Sequence, residues 1–427
     1  MTKIDLNVDV HHLARVEGHG NIRVAVADGK LLAASWEVIE TPRYFEVMLR
    51  GRSHDTAHLL TSRICGICSI SHSLVSLEAT EDAFGVEIPE CAARLRLLAK
   101  HAETLQSHAL HLFFLAAPDF LGLASALPLI ESNPEVVGLA ARLKGLANRL
   151  SDLAAGRTTH PVRFAVGGVT SFPTRDALLG FRDELVRSHD DWEATAGLLE
   201  TFEIPDFARE TEFVSLDGEG TGYPYIGRRM CSTDGVRKGA GDYAEMTNEW
   251  VPANSTSKWC KLSRDAFAVG PLARFNNNHA ALGKAASGMA ERFGLAAVCH
   301  NPFMANVARL VEAVQATEDA IAEIDALVAP GAMLKPRADV TPRAGSGVGA
   351  VEAPRGILYH CYEYDDAGIV VGADCVIPTT QNHANIQADL EALVPRFATE
   401  KMTDAKLELL CSMLVRAYDP CISCSVH

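Results

Sequence analysis

The sequence predicts an α+β fold in which long helices form a central bundle and small β-sheets lie at its periphery. Three observations predict this fold: an alternating N-terminal segment, helical spacing of apolar residues over long intervals from about residue 55, and no helical period over residues 202–271. We expect residues 1–427 to form a single domain. Its parts are a β-hairpin at about 20–40, a helical core at about 55–200 and 280–418, and an irregular lobe of strands and loops at about 202–271.

The first predicted element is the β-hairpin. Residues 21–26 and 31–39 carry β-branched residues in an alternating pattern, and Asp28-Gly29 separates the two runs. An Asp-Gly pair between two such runs favours the tight turn of a hairpin. We therefore predict two antiparallel strands in this segment.

Three long helices are predicted next. Apolar residues recur every three or four positions over residues 94–116. A second helix is expected to begin at Pro134 and to end before Gly156. The third runs over about 175–201, after Thr174 as its N-terminal cap. Together these segments supply the helical bundle.

The C-terminal half is predicted to alternate helices with irregular segments. The pattern of residues 280–328 predicts two helices that are interrupted near Asn301-Pro302. Residues 330–356 are rich in Gly and Pro, which predicts a long loop. The last predicted elements are a strand at 368–377 and helices at 386–393 and 404–418.

The composition excludes several classes of protein. Of the 427 residues, 48% are hydrophobic and 22% are charged, which is ordinary for a globular protein and excludes a disordered chain. Lys and Arg number 39 against 54 Asp and Glu, so the net charge is −15. No basic run follows the pattern of a nucleic-acid-binding surface, and we expect no nucleic-acid partner.

The sequence also predicts where the protein works. No apolar stretch reaches the roughly 20 residues of a membrane span, and residues 1–6 do not resemble a signal peptide. The eleven cysteines are an odd number and too sparse for a disulfide scaffold. We therefore expect a cytoplasmic protein whose thiols are reduced or bound to metal.

Two short cysteine motifs carry the strongest chemical signal. Residues 63–68 read Arg-Ile-Cys-Gly-Ile-Cys, with His72 four residues further, and residues 419–427 read Asp-Pro-Cys-Ile-Ser-Cys-Ser-Val-His. Each C-x-x-C pair can turn two sulfurs toward one point, and two pairs supply four soft thiolates. Spacing alone leaves open a zinc site, another thiolate metal site, or a redox pair. The second pair lies where chain ends usually fray, which favours an assembled, buried centre.

The whole chain resembles the large, catalytic subunit of nickel–iron hydrogenases. Five motifs stand in the order of that family from residue 15 to residue 427. They are residues 15–20 (Arg-Val-Glu-Gly-His-Gly), the two cysteine motifs, residues 352–356 (Glu-Ala-Pro-Arg-Gly) and residues 375–380 (Cys-Val-Ile-Pro-Thr-Thr). The resemblance implies reversible heterolytic cleavage of dihydrogen. It also implies that Cys65 and Cys421 are terminal ligands of nickel, while Cys68 and Cys424 bridge nickel to an iron that carries two cyanides and one carbon monoxide.

Further roles are implied by the same resemblance. Glu17 is expected to accept the proton from Cys421. Arg355, paired with Asp419, is expected to donate to one cyanide, and Thr379 to the other. His72 corresponds to a family histidine that hydrogen-bonds near a bridging thiolate. These residues would surround the metals without ligating them.

A second metal site is implied near the C-terminus. Glu46, His427 and the backbone carbonyl of Cys375 match the ligands of a buried magnesium (or iron) ion, with waters completing its shell. In the family, a maturation endopeptidase removes an extension after this histidine once the nickel–iron centre is in place, and the sequence resembles the processed form.

The resemblance also implies partners. The remaining cysteines have no clustered spacing, so we expect no iron–sulfur cluster in this chain and predict that electrons leave through an iron–sulfur small subunit. Residues 11–19 are similar to the cytoplasmic hydrogenases that couple to NAD(P) or a similar acceptor, which implies further flavin or NAD(P) subunits. The alternatives are a non-catalytic relative in respiratory complex I, which lacks the cysteine pairs, and a structural zinc protein.

Overall fold

The computed structural model of the chain describes residues 4–218, 220 and 222–427. Within them the strands are β1 Leu6–Val10, β2 Gly20–Ala27, β3 Lys30–Val38, β4 Phe164–Ala165, β5 Gly168–Val169, β6 Glu212–Leu216, β7 Arg229–Ser232, β8 Arg237–Gly239, β9 Phe267–Ala268, β10 Gly345–Ala353, β11 Gly356–Tyr364 and β12 Val370–Val376. They form small separate sheets with the orders β1-β2-β3, β4-β5, β8-β7-β6-β9 and β10-β11-β12.

Helices make up most of the remaining structure. They are α1 Phe45–Leu49, α2 Ala57–Thr61, α3 Ser69–Phe84, α4 Glu90–Leu110, α5 Ala117–Phe120, α6 Leu129–Ser132, α7 Pro134–Ala155, α8 Arg175–Leu199, α9 Tyr243–Thr247, α10 Pro271–Asn278, α11 Lys284–Arg292, α12 Ala305–Leu327, α13 Pro378–Phe397, α14 Asp404–Ala417 and α15 Ile422–Ser425. A π-helical segment, His111–Ala116, joins α4 to α5. In the described residues, no helix combines the length and apolar character that crossing a membrane requires.

The centre of the fold is a helical bundle. Helix α4 packs against α7 and α12, and α12 also packs against α8. Leu98, Leu143 and Leu310 are among the residues that these helices bury in the largest hydrophobic cluster. Burial of one leucine side chain contributes about 1.5–3 kcal/mol relative to exposure, so this interface holds the bundle together. The predicted α+β class, dominated by helices, is confirmed.

Local signals set the ends of two bundle helices as the sequence predicts. The Thr174 hydroxyl accepts the backbone N–H of Ala177 at 3.3 Å and caps α8. Helix α7 ends at Gly156, which adopts a left-handed conformation with φ of 82°. The helix predicted over 94–116 begins earlier, at Glu90, and its last turns are π-helical.

The loop predicted at residues 330–356 is wrong in its second half. Residues 345–353 form strand β10, which pairs with β11 and packs against α3. A Cβ at Gly347 would lie 2.2 Å from the backbone nitrogen of Ala83, and a Cβ at Gly349 would lie 2.2 Å from the carbonyl oxygen of Val75. The glycines that suggested a loop are therefore required because a strand and a helix approach closely.

The N-terminal sheet brings the start of the chain to its end. Strand β3 packs on α13, where Trp36 donates its indole N–H to His383 at 2.8 Å. The segment after β1 then runs beside the C-terminal residues, and Glu17 forms a parallel bridge with Cys421. The helix predicted at 386–393 is longer than expected, because α13 begins at Pro378.

Candidate metal centre

The two cysteine motifs meet in one buried pocket. Cys65 and Cys68 precede α3, and Cys421 and Cys424 lie at α15. All four are at most 5% exposed, and their Sγ atoms lie within 4.8 Å of one another. In the part of the chain that the structure describes, no other group of three or more His, Cys, Asp or Glu side chains converges in this way.

The backbone shapes each half of the pocket. The Cys65 Sγ accepts the N–H groups of Ile67 at 3.2 Å and Cys68 at 3.3 Å, and lies 3.5 Å from the Cys421 Sγ. Amides at the start of a helix carry partial positive charge and stabilise an anionic sulfur. The amides of Ile67 and Cys68 therefore form an anion-binding turn around the Cys65 sulfur.

The thiols differ in how readily they ionise. Hydrogen bonds from Cys421 and the other two cysteines hold the pKa of Cys65 well below its usual range. Burial raises the pKa of Cys421 and of Cys424 well above that range. By itself the pocket thus stabilises one thiolate, since nearby like charges oppose further ionisation. Four thiolates need cations among them, and this soft donor set suits thiophilic metals such as nickel and iron.

An arginine ties the two motifs together. Arg43 donates through Nη2 to the carbonyl of Ile64 at 2.6 Å and also to the carbonyl of Ser423. Its backbone N–H donates to Val426 at 2.7 Å. Sequence reasoning missed this residue, because a lone arginine before a short helix carries no distinguishing pattern.

Glu17 reaches the pocket from the N-terminal segment. Its Oε2 accepts from the Cys421 thiol at 3.1 Å and from the backbone N–H of Ser423 at 3.1 Å, while its Oε1 accepts the Ser423 hydroxyl. The next residue, Gly18, has a φ of 86°, and a Cβ there would lie 2.7 Å from the Cβ of Ile422. The glycine therefore allows the contact between Glu17 and Cys421.

Arg355 and Asp419 form a buried ion pair beside the cysteines. Arg355 donates through Nε to the Asp419 carbonyl at 2.7 Å and through Nη2 to Oδ1 at 3.0 Å. The third nitrogen, Nη1, is buried and has no partner. Despite burial, which opposes charge, the neighbouring Arg355 holds the pKa of Asp419 well below its usual range. A buried donor left over beside four thiols fits an acceptor carried by a metal.

Thr379 lies in the motif of residues 375–380, in the first turn of α13. Its hydroxyl oxygen accepts the backbone N–H of Cys421 at 2.9 Å. A hydroxyl that accepts one hydrogen bond still has its own hydrogen to donate. Thr379 is 1% exposed, so that hydrogen is directed within the buried site.

His111 is a neighbour of the site that sequence reasoning did not identify. Its Nδ1 lies 3.3 Å from the Asp419 Oδ1, and its Nε2 lies 3.0 Å from the Asn306 Oδ1. The residue stands in the π-helical segment between α4 and α5, and such insertions are frequent at functional sites. Nothing in helical spacing distinguishes it from its apolar neighbours.

His72 is also buried near the cysteines. The structure gives its Nδ1 a contact of 3.4 Å with Nε2 of His360, whose Nδ1 in turn lies 2.6 Å from the Tyr362 hydroxyl. Burial lowers the pKa of His72 to about 4, so its imidazole is neutral at neutral pH. The partner that the structure shows for Nδ1 is the imidazole of His360.

The three residues expected at the second metal site also come together. The Glu46 Oε1 lies 3.3 Å from Nε2 of His427 and accepts the N–H of Cys375 at 2.9 Å. Despite the opposing effect of burial, hydrogen bonding and charge from His427 lower the pKa of Glu46 to about 2. A carboxylate, an imidazole and a peptide group are thus clustered at the chain's last residue.

Comparisons with known proteins place these motifs in a family. A model of the nickel-dependent hydrogenases matches residues 43–136 and 237–427. The chain is 31% identical to the alpha chain of sulfhydrogenase 1 of Pyrococcus furiosus, over 100% of this chain and 99% of that protein. It is 31% identical to a component of the F420-non-reducing hydrogenase vhc of Methanococcus voltae, over 100% and 95%. A crystal structure of an NAD+-reducing NiFe-hydrogenase in the H2-reduced state matches with a TM-score of 0.88 and 28% identity, over 99% of both chains.

Proposed function

The chain belongs to the nickel-dependent hydrogenase family and is the catalytic subunit of a nickel–iron hydrogenase, and from this premise we propose how its residues divide the reaction. Cys65 and Cys421 would hold nickel as its terminal ligands, and Cys68 and Cys424 would hold nickel and iron together. When bound, this metal pair supplies the electron-accepting centre at which dihydrogen is split heterolytically. The convergence of four buried Sγ atoms is the observation that supports this assignment.

We assign proton transfer to Cys421 and Glu17. The thiol of Cys421 already donates to the Glu17 carboxylate at 3.1 Å, a distance across which a proton can pass directly. The Ser423 amide and hydroxyl hold the carboxylate in this orientation. Glu17 therefore accepts the proton that leaves the sulfur.

Arg355, Asp419 and Thr379 hold the iron's diatomic ligands, which we propose to be two cyanides and one carbon monoxide. The free Nη1 of Arg355 would donate to one cyanide, while Asp419 fixes the guanidinium through two hydrogen bonds. The Thr379 hydroxyl donates to the other. For His72, which is buried and neutral, we propose a hydrogen bond near a bridging thiolate.

We propose that a magnesium ion (or iron) binds at Glu46, His427 and the Cys375 carbonyl. Glu46 supplies the charged oxygen ligand, which hard cations prefer. Its low pKa keeps it ionised at any physiological pH. The ion would hold the last residue of the chain in place and so support Cys424, three residues earlier.

The electron path is proposed to leave this chain through an iron–sulfur small subunit. The matched relatives are themselves subunits of hydrogenases. Because the solved relative with a TM-score of 0.88 is NAD+-reducing, we propose NAD(P) as acceptor, reached through flavin-bearing partner subunits in the cytoplasm. A maturation endopeptidase is proposed to act on the C-terminus during assembly.

A cysteine exchange tests the function of the centre. In the assembled enzyme, Cys421→Ser should abolish H2-dependent reduction of a viologen dye and lower the nickel content. Cys411→Ser is the matched control, because Cys411 is equally buried but lies in α14, in another hydrophobic cluster. If Cys421→Ser keeps both nickel and activity, the assignment is wrong.

A further inference from the structure

Arg309 is a buried arginine that the reaction does not use. It lies in α12 with 1% of its surface exposed. Its Nε and Nη2 have no hydrogen-bond partner, and its Nη1 has one long contact of 3.4 Å with the Asn306 Oδ1. Buried guanidinium groups are almost always bonded at several nitrogens. Arg309 therefore lacks partners on most of its donor surface.

The charge of Arg309 is also uncompensated by direct contact. Among the described residues, no carboxylate lies within ion-pair distance of it, and the two nearby carboxylates are already bound. Asp419 is held by Arg355, and Glu312 is held by Arg274 through two hydrogen bonds of 2.6 and 2.7 Å. Burial lowers the pKa of Arg309 to about 10, so it remains charged at neutral pH.

Such a charge needs a counter-ion. An ionised group buried without a partner costs several kcal/mol, which a protein avoids by pairing it. Asn306 is neutral and the neighbouring Arg355 and Arg274 are cations, so they do not supply the missing negative charge.

A cavity opens beside this arginine. Its volume is about 20 Å³, counted as the space that the centre of a water molecule can occupy. One water needs roughly 10–15 Å³ by the same measure. Apolar side chains, such as Phe213 and Leu272, form much of its wall. The space therefore suits one small occupant.

A second donor lines the same cavity. His300 accepts the backbone N–H of Thr211 at its Nδ1, 3.1 Å away, which places the hydrogen of a neutral imidazole on Nε2. Asp389 also lines the cavity, but its carboxylate is bound by Arg209 and by the Tyr418 hydroxyl. The polar wall thus offers hydrogen-bond donors, and its one carboxylate is already neutralised.

We propose that this cavity binds a single small monovalent anion of the halide class, held by the Arg309 guanidinium with the imidazole N–H of His300 in the same wall. The anion neutralises the buried charge in α12 and occupies a site separate from the cysteine pocket. The chemistry recognised is a compact, monatomic negative charge, because the space beside Arg309 is close to that of a single water.

Bromide tests the proposal, because its anomalous scattering distinguishes it from water. Crystals of the assembled enzyme grown in bromide should show an anomalous peak in contact with Arg309. Bromide should also raise the midpoint of thermal unfolding at constant ionic strength, and the rise should grow with the logarithm of its concentration.

Two variants supply the controls. Arg309→Met should lose the peak and the bromide-dependent shift, while Arg157→Met, which removes an exposed arginine, should keep both. A cavity that holds only water in saturating bromide would overturn the proposal, and this diffraction result on the unaltered enzyme decides the question even if Arg309→Met does not fold.

Discussion

Replacing Glu17 by glutamine isolates its role in proton transfer. Glutamine has nearly the same shape, and its carbonyl oxygen can still accept the Ser423 amide that binds Glu17 at 3.1 Å. Its amide does not take up the proton that the Cys421 thiol directs at the carboxylate. The variant therefore keeps the packing and removes the proton acceptor.

The expected loss follows from the contribution of a positioned base. Such a group accelerates a reaction by about 10²–10⁴-fold, which corresponds to about 3–5 kcal/mol in the activation barrier. Glu17 is only half-buried, so we expect a much smaller effect on unfolding, within about 1 kcal/mol. Activity should fall by orders of magnitude while stability hardly changes.

The assay is H2-dependent dye reduction by the assembled enzyme, together with isotope exchange between H2 and D2O. Glu37→Gln is the control, because Glu37 lies on β3 and binds Ser35 and Arg23 instead of a cysteine. Nickel content should be the same in both variants. Wild-type turnover and exchange in Glu17→Gln, with nickel in place, would refute the reasoning.

Three further perturbations test other parts of the structure. Glu46→Gln removes the charged oxygen at the second metal site, so added Mg²⁺ should no longer raise the thermal midpoint after treatment with a chelator; a response equal to that of wild type would contradict the site. Glu312→Gln removes the charge that pairs with the buried Arg274 and leaves one acceptor oxygen where two accepted its hydrogen bonds, so it should lower the free energy of unfolding by about 3–5 kcal/mol, against almost no change for the exposed Glu200→Gln. Burial lowers the pKa of His58 from 6.5 to about 4, so the folded state disfavours its protonated form. The contribution of His58 to the free energy of unfolding is therefore fully present above pH 6.5, and about 3 kcal/mol of it is lost as the pH falls to 4. His58→Gln should therefore show a shallower loss of stability over that interval in urea unfolding, and an unchanged slope would count against the burial argument.

The sequence predicts most of the bundle and the core of the site, because both depend on local patterns. Helices α7 and α8 follow from apolar spacing together with Gly156 and Thr174. The two cysteine pairs follow from their spacing, and the family motifs bring Glu17 and Arg355 into the same prediction. These features can be predicted from the sequence because the signal for each is contained within a few consecutive residues.

The parts that the sequence does not predict depend on contacts between distant segments. Strand β10 reads as a loop, because its glycines are needed only once α3 lies against it. The place of His111 beside the site becomes visible only through its contact with Asp419, 308 positions away in the sequence. Arg309 likewise looks like an ordinary helical arginine until its buried, unpaired nitrogens are visible.

Metal content and infrared absorption of the purified enzyme test the central claim most directly. Four converging thiols could hold zinc as well as nickel and iron, and only the proposed centre carries diatomic ligands. We predict one nickel for each catalytic chain, iron in excess of nickel because the iron–sulfur partner carries its own, and carbon monoxide and cyanide stretching bands in the same active sample. Zinc in place of nickel, without those bands and without hydrogenase activity, would contradict the account.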